Sequence, residues 1–447
     1  MNQDRRNRAV DGETAQQTRR RRRKAPIAAF LSFLFPGAGQ LYNHQRRFAA
    51  VLAVPVALVT FLAAGTILIG RGSVLPRLLD IRVIVALIVL DLVLLAWRLV
   101  AIIHAHWYRA SFRFNRVGSY VTGALLLLTI GMHAVPAVYG AKLIDTLSAV
   151  AAGGDRASAT DRVRFPGFAG PSGEPLPVPP HRPFIEAGQR VNILLVGVDS
   201  GPGRDHALTD TMLVLSIDTD GSSAMISVPR DLVNAPLPNH QPYPEKLNSL
   251  LQTANALPDA YPLGGVATLK ATIGELLGVP IHYIAAIDMA GFKRVVDAIG
   301  GVEMNLARPV EDPSIGWSIP AGPIVMNGDT ALRFVRARHA VGDDDFVRAG
   351  RQQQLLTAVR EKLTRTNLLT ALPGLLDAVK STIATDVPSD QMPILAQAIQ
   401  DADIGRLEQA VIEPPTYVTP ATGANGAYIL IPDLARIREL GQKLMGG

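Results

Sequence analysis

Three apolar runs, at about 48–70, 81–104 and 119–141, constrain this chain more than any other feature of it. Each is long enough to cross the roughly 30 Å hydrocarbon core of a bilayer as a helix. A helix satisfies its own backbone there, where no water can. A cleaved signal peptide has one apolar core and does not account for three. The expectation is an α-helical transmembrane region within 26–145, and it limits where soluble chemistry can sit.

Upstream lies a shorter apolar stretch, APIAAFLSFLFPGAGQLYNHQRRF, broken by Pro36, Gly37 and Gly39. Basic residues precede it from Arg19 to Lys24 and follow it at Arg46 and Arg47. If positive residues stay inside, both of its ends are cytoplasmic and it reads as an interfacial or re-entrant segment, with a full span as the alternative. Three spans then carry the chain from inside to outside. Arg109, Arg113 and Arg116 fall on the inside loop as the rule wants, whereas Arg71 and Arg77 fall outside, against it. Within the second run, Asp91 and Arg98 are seven apart and share a helix face. Charges at that depth either fix helix packing as a pair or serve a function.

The net charge of +6 can be located: residues 1–24 hold nine Lys/Arg and three acids, and the remaining 35 bases and 35 acids cancel. The basic tail, 1–25, is thus a cytoplasmic segment suited to anionic membrane lipids. With no helix-turn-helix, stacking platform or zinc-finger spacing, no nucleic-acid partner is expected. Cysteine is absent, which excludes disulfides, thiolate catalysis and Cys-ligated zinc.

Residues 146–189 are rich in small residues, glycine and proline, and read as an extended linker. From 190 to 447 short β-runs alternate with helical stretches, so the expected fold is α/β, a mixed sheet with flanking helices. VNILLVGVD reads as a buried strand over 191–197, DTMLVLSID as a strand over 211–217 and SAMISV as a strand over 223–228, the last two joined by the turn 218–221. Antiparallel pairing puts Asp210 close to Arg230, and an antiparallel first strand would bring Asp199 to the same edge. Two carboxylates and an arginine there suit Mg²⁺ with a phosphate, since Mg²⁺ takes one or two carboxylates plus substrate phosphates. They equally suit a structural pair in which Asp210 caps a turn.

Downstream, RFVRARHAVGDDDFVRAGRQQQ (333–354) packs Arg333, Arg336, Arg338, Arg348 and Arg351 around three aspartates. A helix capped near Asp329 precedes the aspartates and a second follows them. Arg336, Arg338, Arg348 and Gln352 form a candidate fork for bidentate phosphate contacts. Arg333 and Arg360 read as solvated. Asp343, Asp344 and Asp345 are too sequential for a metal cage and read as a loop neutralising nearby arginines.

These segments, with SVPRDL (227–232), KLN (246–248) and GFKRVVDAIGGVEM (291–304), come in an order that resembles the LytR-CpsA-Psr family of cell-wall glycopolymer ligases. The resemblance covers about 190–365 closely and the rest of the domain more loosely. It implies an extracytoplasmic Mg²⁺-dependent phosphotransferase that moves a glycopolymer from a polyprenyl-pyrophosphate carrier to a peptidoglycan hydroxyl through a phosphodiester. Carried over, Asp199 and Asp210 match metal-associated carboxylates, and Arg230, Arg336, Arg338 and Arg348 match pyrophosphate-binding arginines. Gln352 and Lys246 line the same site. The family's arginine two residues before the second aspartate is here Leu208, and Arg204 on the same loop is the candidate replacement. The leucine-rich stretches 247–278 and 354–380 either wall a polyprenyl cleft or pack the core. A lipid-pyrophosphate phosphatase and a non-catalytic holder of lipid-linked precursors are the alternative functions.

Overall fold

The computed structural model describes residues 25–69, 77–108, 116–151, 189–199, 208–337, 345–365, 368–380, 383–424 and 426–446. The chain divides into two compact units, 1–144 and 145–447.

In the first unit a short apolar helix, α1 (Ala25–Leu34), turns into α2 (Ala38–Tyr42), and α3 (Arg46–Ile69) and α4 (Ile81–Trp107) follow. The next helix, α5 (Arg116–Val150), begins here and runs past the division between the units. Three helices are long and apolar enough to cross a membrane: Arg46–Gly65, Ile81–Trp107 and Gly118–Val150. The described part of α1, Ala25–Leu34, spans about 15 Å. It is folded onto α4 by polar bonds. Gln40 donates to the Ala101 carbonyl at 2.8 Å and Asn43 to the Ala105 carbonyl at 3.0 Å, while Ser32 donates to Gln40 at 3.0 Å. Gly39 is required at this crossing, because a Cβ would lie 2.0 Å from the Ala28 carbonyl oxygen. The apolar spacing pairs Asp91 with Arg98, but the structure gives Asp91 a different partner. Its carboxylate lies 2.7 Å from His133 Nδ1 on α5. Residues seven apart stand about 10.5 Å apart along a helix, whereas Asp91 and His133 meet from two different helices.

The second unit is built on a six-stranded mixed sheet of β1 (Val191–Asp199), β2 (Leu208–Ile217), β3 (Ser223–Val228), β6 (Tyr283–Asp288), β11 (Ile383–Thr385) and β12 (Leu407–Val411), in the order β11-β6-β1-β2-β3-β12. Strand β1 runs antiparallel to β2 and parallel to β6. Side chains alternate across β1: Leu194, Val196 and Val198 enter the main core, whereas Val191 and Ile193 join a second cluster on the other face. Both faces are therefore covered, as a near-continuous apolar strand demands.

The main core is closed by α6 (Leu250–Ala256), α7 (Gly264–Leu277) and the last helix, α13 (Leu434–Met445). Leu247, Leu250, Leu251, Leu269, Leu276 and Leu277 are all buried in it. The leucines of 247–278 that were candidates for a lipid cleft are thus core packing, apart from exposed Leu257 and half-buried Leu263. A smaller core lies under the hairpin of β7 (Val302–Leu306) and β10 (Gly322–Met326), against α8 (Met289–Ala298), α9 (Gly328–Arg336) and α10 (Asp345–Arg365). The leucine-rich stretch after α10 forms a separate helix, α11 (Leu368–Lys380), and α12 (Met392–Asp401) leads into β12.

Candidate functional site

The predicted β2–β3 hairpin is present, and its register carries Arg230, just beyond β3, back beside β2. The sequence leaves one detail unmarked. Gly197 pairs with Thr211 but Val198 pairs with Thr209, so Asp210 is the extra residue of a β-bulge. Bulges re-aim side chains at sheet edges and next to active sites. Here the bulge delivers Asp210 to Arg230, whose Nη1 donates to Asp210 Oδ1 at 2.7 Å.

Arg230 is the hub. Besides Asp210, its Nε lies 3.4 Å from Asp231 and 3.6 Å from Asp345. Neither distance is a hydrogen bond, and among the described residues this buried Nε donates to nothing. Lys246 reaches Asp231 at 2.6 Å and Arg348 reaches Asp345 at 3.0 Å. Burial alone would lower the Arg230 pKa, but the carboxylates of Asp210, Asp345 and Asp231 outweigh it and raise the value. Burial likewise pushes Asp231 up, and Lys246 and Arg230 more than reverse that, leaving its carboxyl below 3.8. The stability from this depressed carboxyl is present above that pH and is lost as pH falls through the lowered value.

Of the residues singled out by sequence, Asp210, Arg230, Lys246 and Arg348 converge in this network. Gln352 adjoins it and donates to Thr211 Oγ1 at 3.0 Å and to the Val335 carbonyl at 3.4 Å. Arg336 is exposed on the last turn of α9, with Nη1 3.0 Å from Met289 Sδ. Asp199 is placed by its backbone: it ends β1 directly across from Leu208. Arg204 and Arg338 lie outside the described residues. Asp345 opens α10 and neutralises Arg230 and Arg348, as expected of that acidic run. The helix before it is capped by Asn327, two residues before Asp329, in keeping with the expected cap there; the Asn327 side chain accepts from Thr330 N. Asp329 itself pairs with exposed Arg333 and Lys293 on the surface.

Arg360 is not a solvated cation. It donates to the carbonyls of Ile399, Gln400 and Ala402, capping the end of α12. Burial holds its pKa below the usual arginine value. Sequence reasoning also missed Asp231, which joins Arg230 to Lys246. Gln353 was missed too; it ties α10 to Ser227 of β3 at 3.0 Å and to the Ala410 carbonyl of β12 at 2.9 Å. The signal for Asp231 was its place beside Arg230 in SVPRDL. No spacing signal marks Gln353.

Among the described residues no group of three or more His, Asp or Glu is arranged to hold a metal. Mg²⁺ keeps waters and needs only one or two carboxylates when a phosphate supplies the rest. Asp210, at the bulge, and Asp199, at the end of the neighbouring strand, are the residues that could hold it.

Fold and site together define a chain with three helices long and apolar enough to span a membrane and an α/β domain that gathers arginines around carboxylates at the ends of its inner strands. Residues 173–445 match the LytR_cpsA_psr family, and the chain belongs to it. It is similar to the Bacillus anthracis protein named polyisoprenyl-teichoic acid–peptidoglycan teichoic acid transferase TagU, at 32% identity over 265 residues, 58% of this chain and 80% of that protein. The Bacillus cereus protein of the same name is 32% identical over 209 residues, 46% of this chain, and the match spans 64% of that relative's length. The crystal structure of Bacillus subtilis TagV aligns with a TM-score of 0.46 at 21% identity, covering 58% of this chain and 98% of that one.

Proposed function

We propose that the 190–447 domain works outside the cytoplasmic membrane, with the N-terminus inside. There it transfers a glycopolymer, of the teichoic acid kind named for its relatives, from a polyprenyl-pyrophosphate carrier to a peptidoglycan hydroxyl. The observation that carries this reading is the buried Arg230 Nε, which has charge partners at 3.4 and 3.6 Å but, among the described residues, no hydrogen-bond acceptor. A buried donor left in that state is a place for an incoming anion.

The reaction is a phosphoryl transfer, in which the protein mostly positions groups and stabilises charge. The acceptor hydroxyl attacks the phosphorus that bears the sugar. The bridging P–O bond breaks, polyprenyl phosphate leaves, and the hydroxyl proton passes to a carboxylate at the end of an inner strand, for which Asp199 is the candidate. Arg230, Arg348 and Lys246 hold the pyrophosphate, and Arg336 meets it from the rim. When bound, Mg²⁺ supplies further charge neutralisation to the phosphate oxygens.

Three cations, Arg230, Lys246 and Arg348, face three carboxylates, Asp210, Asp231 and Asp345. A phosphate therefore competes with anions already in place. Asp345→Asn is expected to tighten binding of inorganic pyrophosphate without metal by roughly tenfold, equivalent to about 1.4 kcal/mol. Calorimetric titration checks this, and weaker binding by the variant would show that Asp345 does not compete with the ligand.

The full chain in nanodiscs, given Mg²⁺, a labelled polyprenyl-pyrophosphate sugar and uncrosslinked peptidoglycan, tests the proposal. Label on the acceptor, lost on adding EDTA, is the expected outcome. Label released as free sugar phosphate would identify a phosphatase, and lipid bound but unchanged would identify a holder.

A further inference from the structure

Arg351 is buried, lies next to Gln352, and has no place in the phosphate-binding set described above. Its Nη1 donates to the Ala337 carbonyl at 2.7 Å and reaches the Phe334 carbonyl at 3.4 Å, and its guanidinium lies 6.0 Å from the Phe334 ring centre. Burial lowers its pKa, nearby Arg308 adds to that, and Asp312 opposes it. A cation is kept in this unfavourable place by what it holds.

What it holds is the end of α9. The last carbonyls of a helix have no partner within it, and a cation there also meets the negative end of the helix dipole. In α9 those partners come from α10: Arg351 for Phe334 and Ala337, and Gln352 for Val335. At Ala337 the backbone leaves the helix for an extended conformation, φ −55° and ψ 131°. The bond to the Ala337 carbonyl therefore fixes where α9 ends. Arg336 is on the turn immediately before it. Gln352 meanwhile bonds to Thr211, the neighbour of Asp210 on β2. Two consecutive residues of α10 thus tie the carboxylate side of the site to the end of α9 that bears Arg336.

We propose that Arg351 is a positioning residue for transfer: it does not touch the substrate, but holds the α9 terminus so that Arg336 meets the pyrophosphate. This rests on the pyrophosphate reading above. Arg351→Lys keeps the charge but loses the planar fork that spans two carbonyls.

The test is a mutant cycle on the full chain in nanodiscs, reading transfer kinetics, inorganic pyrophosphate affinity and melting temperature. Arg351→Lys alone is expected to lower kcat/KM by tenfold or more. In an Arg336→Ala background it is expected to cost less than a further twofold, because the group it positions is gone. In a Lys246→Ala background the full loss is expected again. Non-additivity confined to one background is what coupling through α9 requires. Equal losses in both backgrounds, following the melting temperature, would overturn the inference and leave Arg351 a stabilising residue only. If Arg230→Gln and Arg336→Ala leave pyrophosphate affinity unchanged, the pyrophosphate reading fails, and this inference with it. If they weaken it and Arg351→Lys has wild-type kinetics, this inference alone fails.

Discussion

Arg230→Gln is expected to lower kcat/KM for transfer by roughly 10²–10³-fold, the range for removing one preorganised donor to developing charge. The magnitude follows from its position. Arg230 is the only described cation that touches Asp210, and it also lies against Asp231 and Asp345. Its removal takes away a donor to the phosphate and leaves the carboxylate side uncompensated. Folding should survive, because Asp231 keeps Lys246 and Asp345 keeps Arg348. Only Asp210 loses its described ion-pair partner, and its side chain, 20% exposed, retains water. The proper control is Arg333→Ala, an exposed arginine paired with exposed Asp329, where an ion pair is worth under about 1 kcal/mol. Arg360→Ala is a poor control, since it would uncap α12. Steady-state kinetics and circular dichroism on the two variants decide the matter, and comparable activity in both would remove Arg230 from the mechanism.

The Asp210–Arg230 contact was legible because it follows from local rules. Two β-runs with a short turn between them fix a register, and the register fixes which residues face each other across the strands. The three long helices were legible for a similar reason, since length and apolarity set them without reference to neighbours. The bulge that aims Asp210 was not legible, because a one-residue shift depends on how β1 and β2 pair and not on either strand alone. The partners of Arg351 and Arg360 were hidden for another reason. Both bond to backbone carbonyls at the ends of other helices, and a carbonyl carries no sequence signature. Asp91 shows the same limit in the first unit: sequence gives its helix face, but only packing selects His133. Arg333, by contrast, behaves as composition suggests, because at an exposed position water decides and neighbours do not.

The largest stability effect is expected at a pair that sequence reasoning did not reach. Lys270 on α7 and Asp386, just after edge strand β11, are both nearly inaccessible, and Nζ lies 2.5 Å from Oδ2. Lys270 also donates to the His282 carbonyl at 2.8 Å, and Asp386 Oδ1 accepts from Ile284 N at 2.8 Å. The pair therefore closes the end of the sheet at β6, whose other end leads to Asp288 and the start of α8. Burial lowers the Lys270 pKa below 10.5, with Asp386 opposing. The folded chain thus releases this proton at lower pH than the unfolded chain. Between the lowered value and 10.5 the unfolded state binds more protons, so this group's contribution to stability rises with pH across that window. Lys270→Met removes that dependence and strands a buried carboxylate, which should destabilise the fold by about 3–5 kcal/mol. In a domain of this size that lowers the melting temperature by about 10 °C. Adding Asp386→Asn should recover most of the loss, because asparagine removes the charge and can still accept from Ile284 N. Melting curves of the single and double variants at neutral pH check this, and a double variant no more stable than Lys270→Met would show that the damage is packing and not the stranded charge.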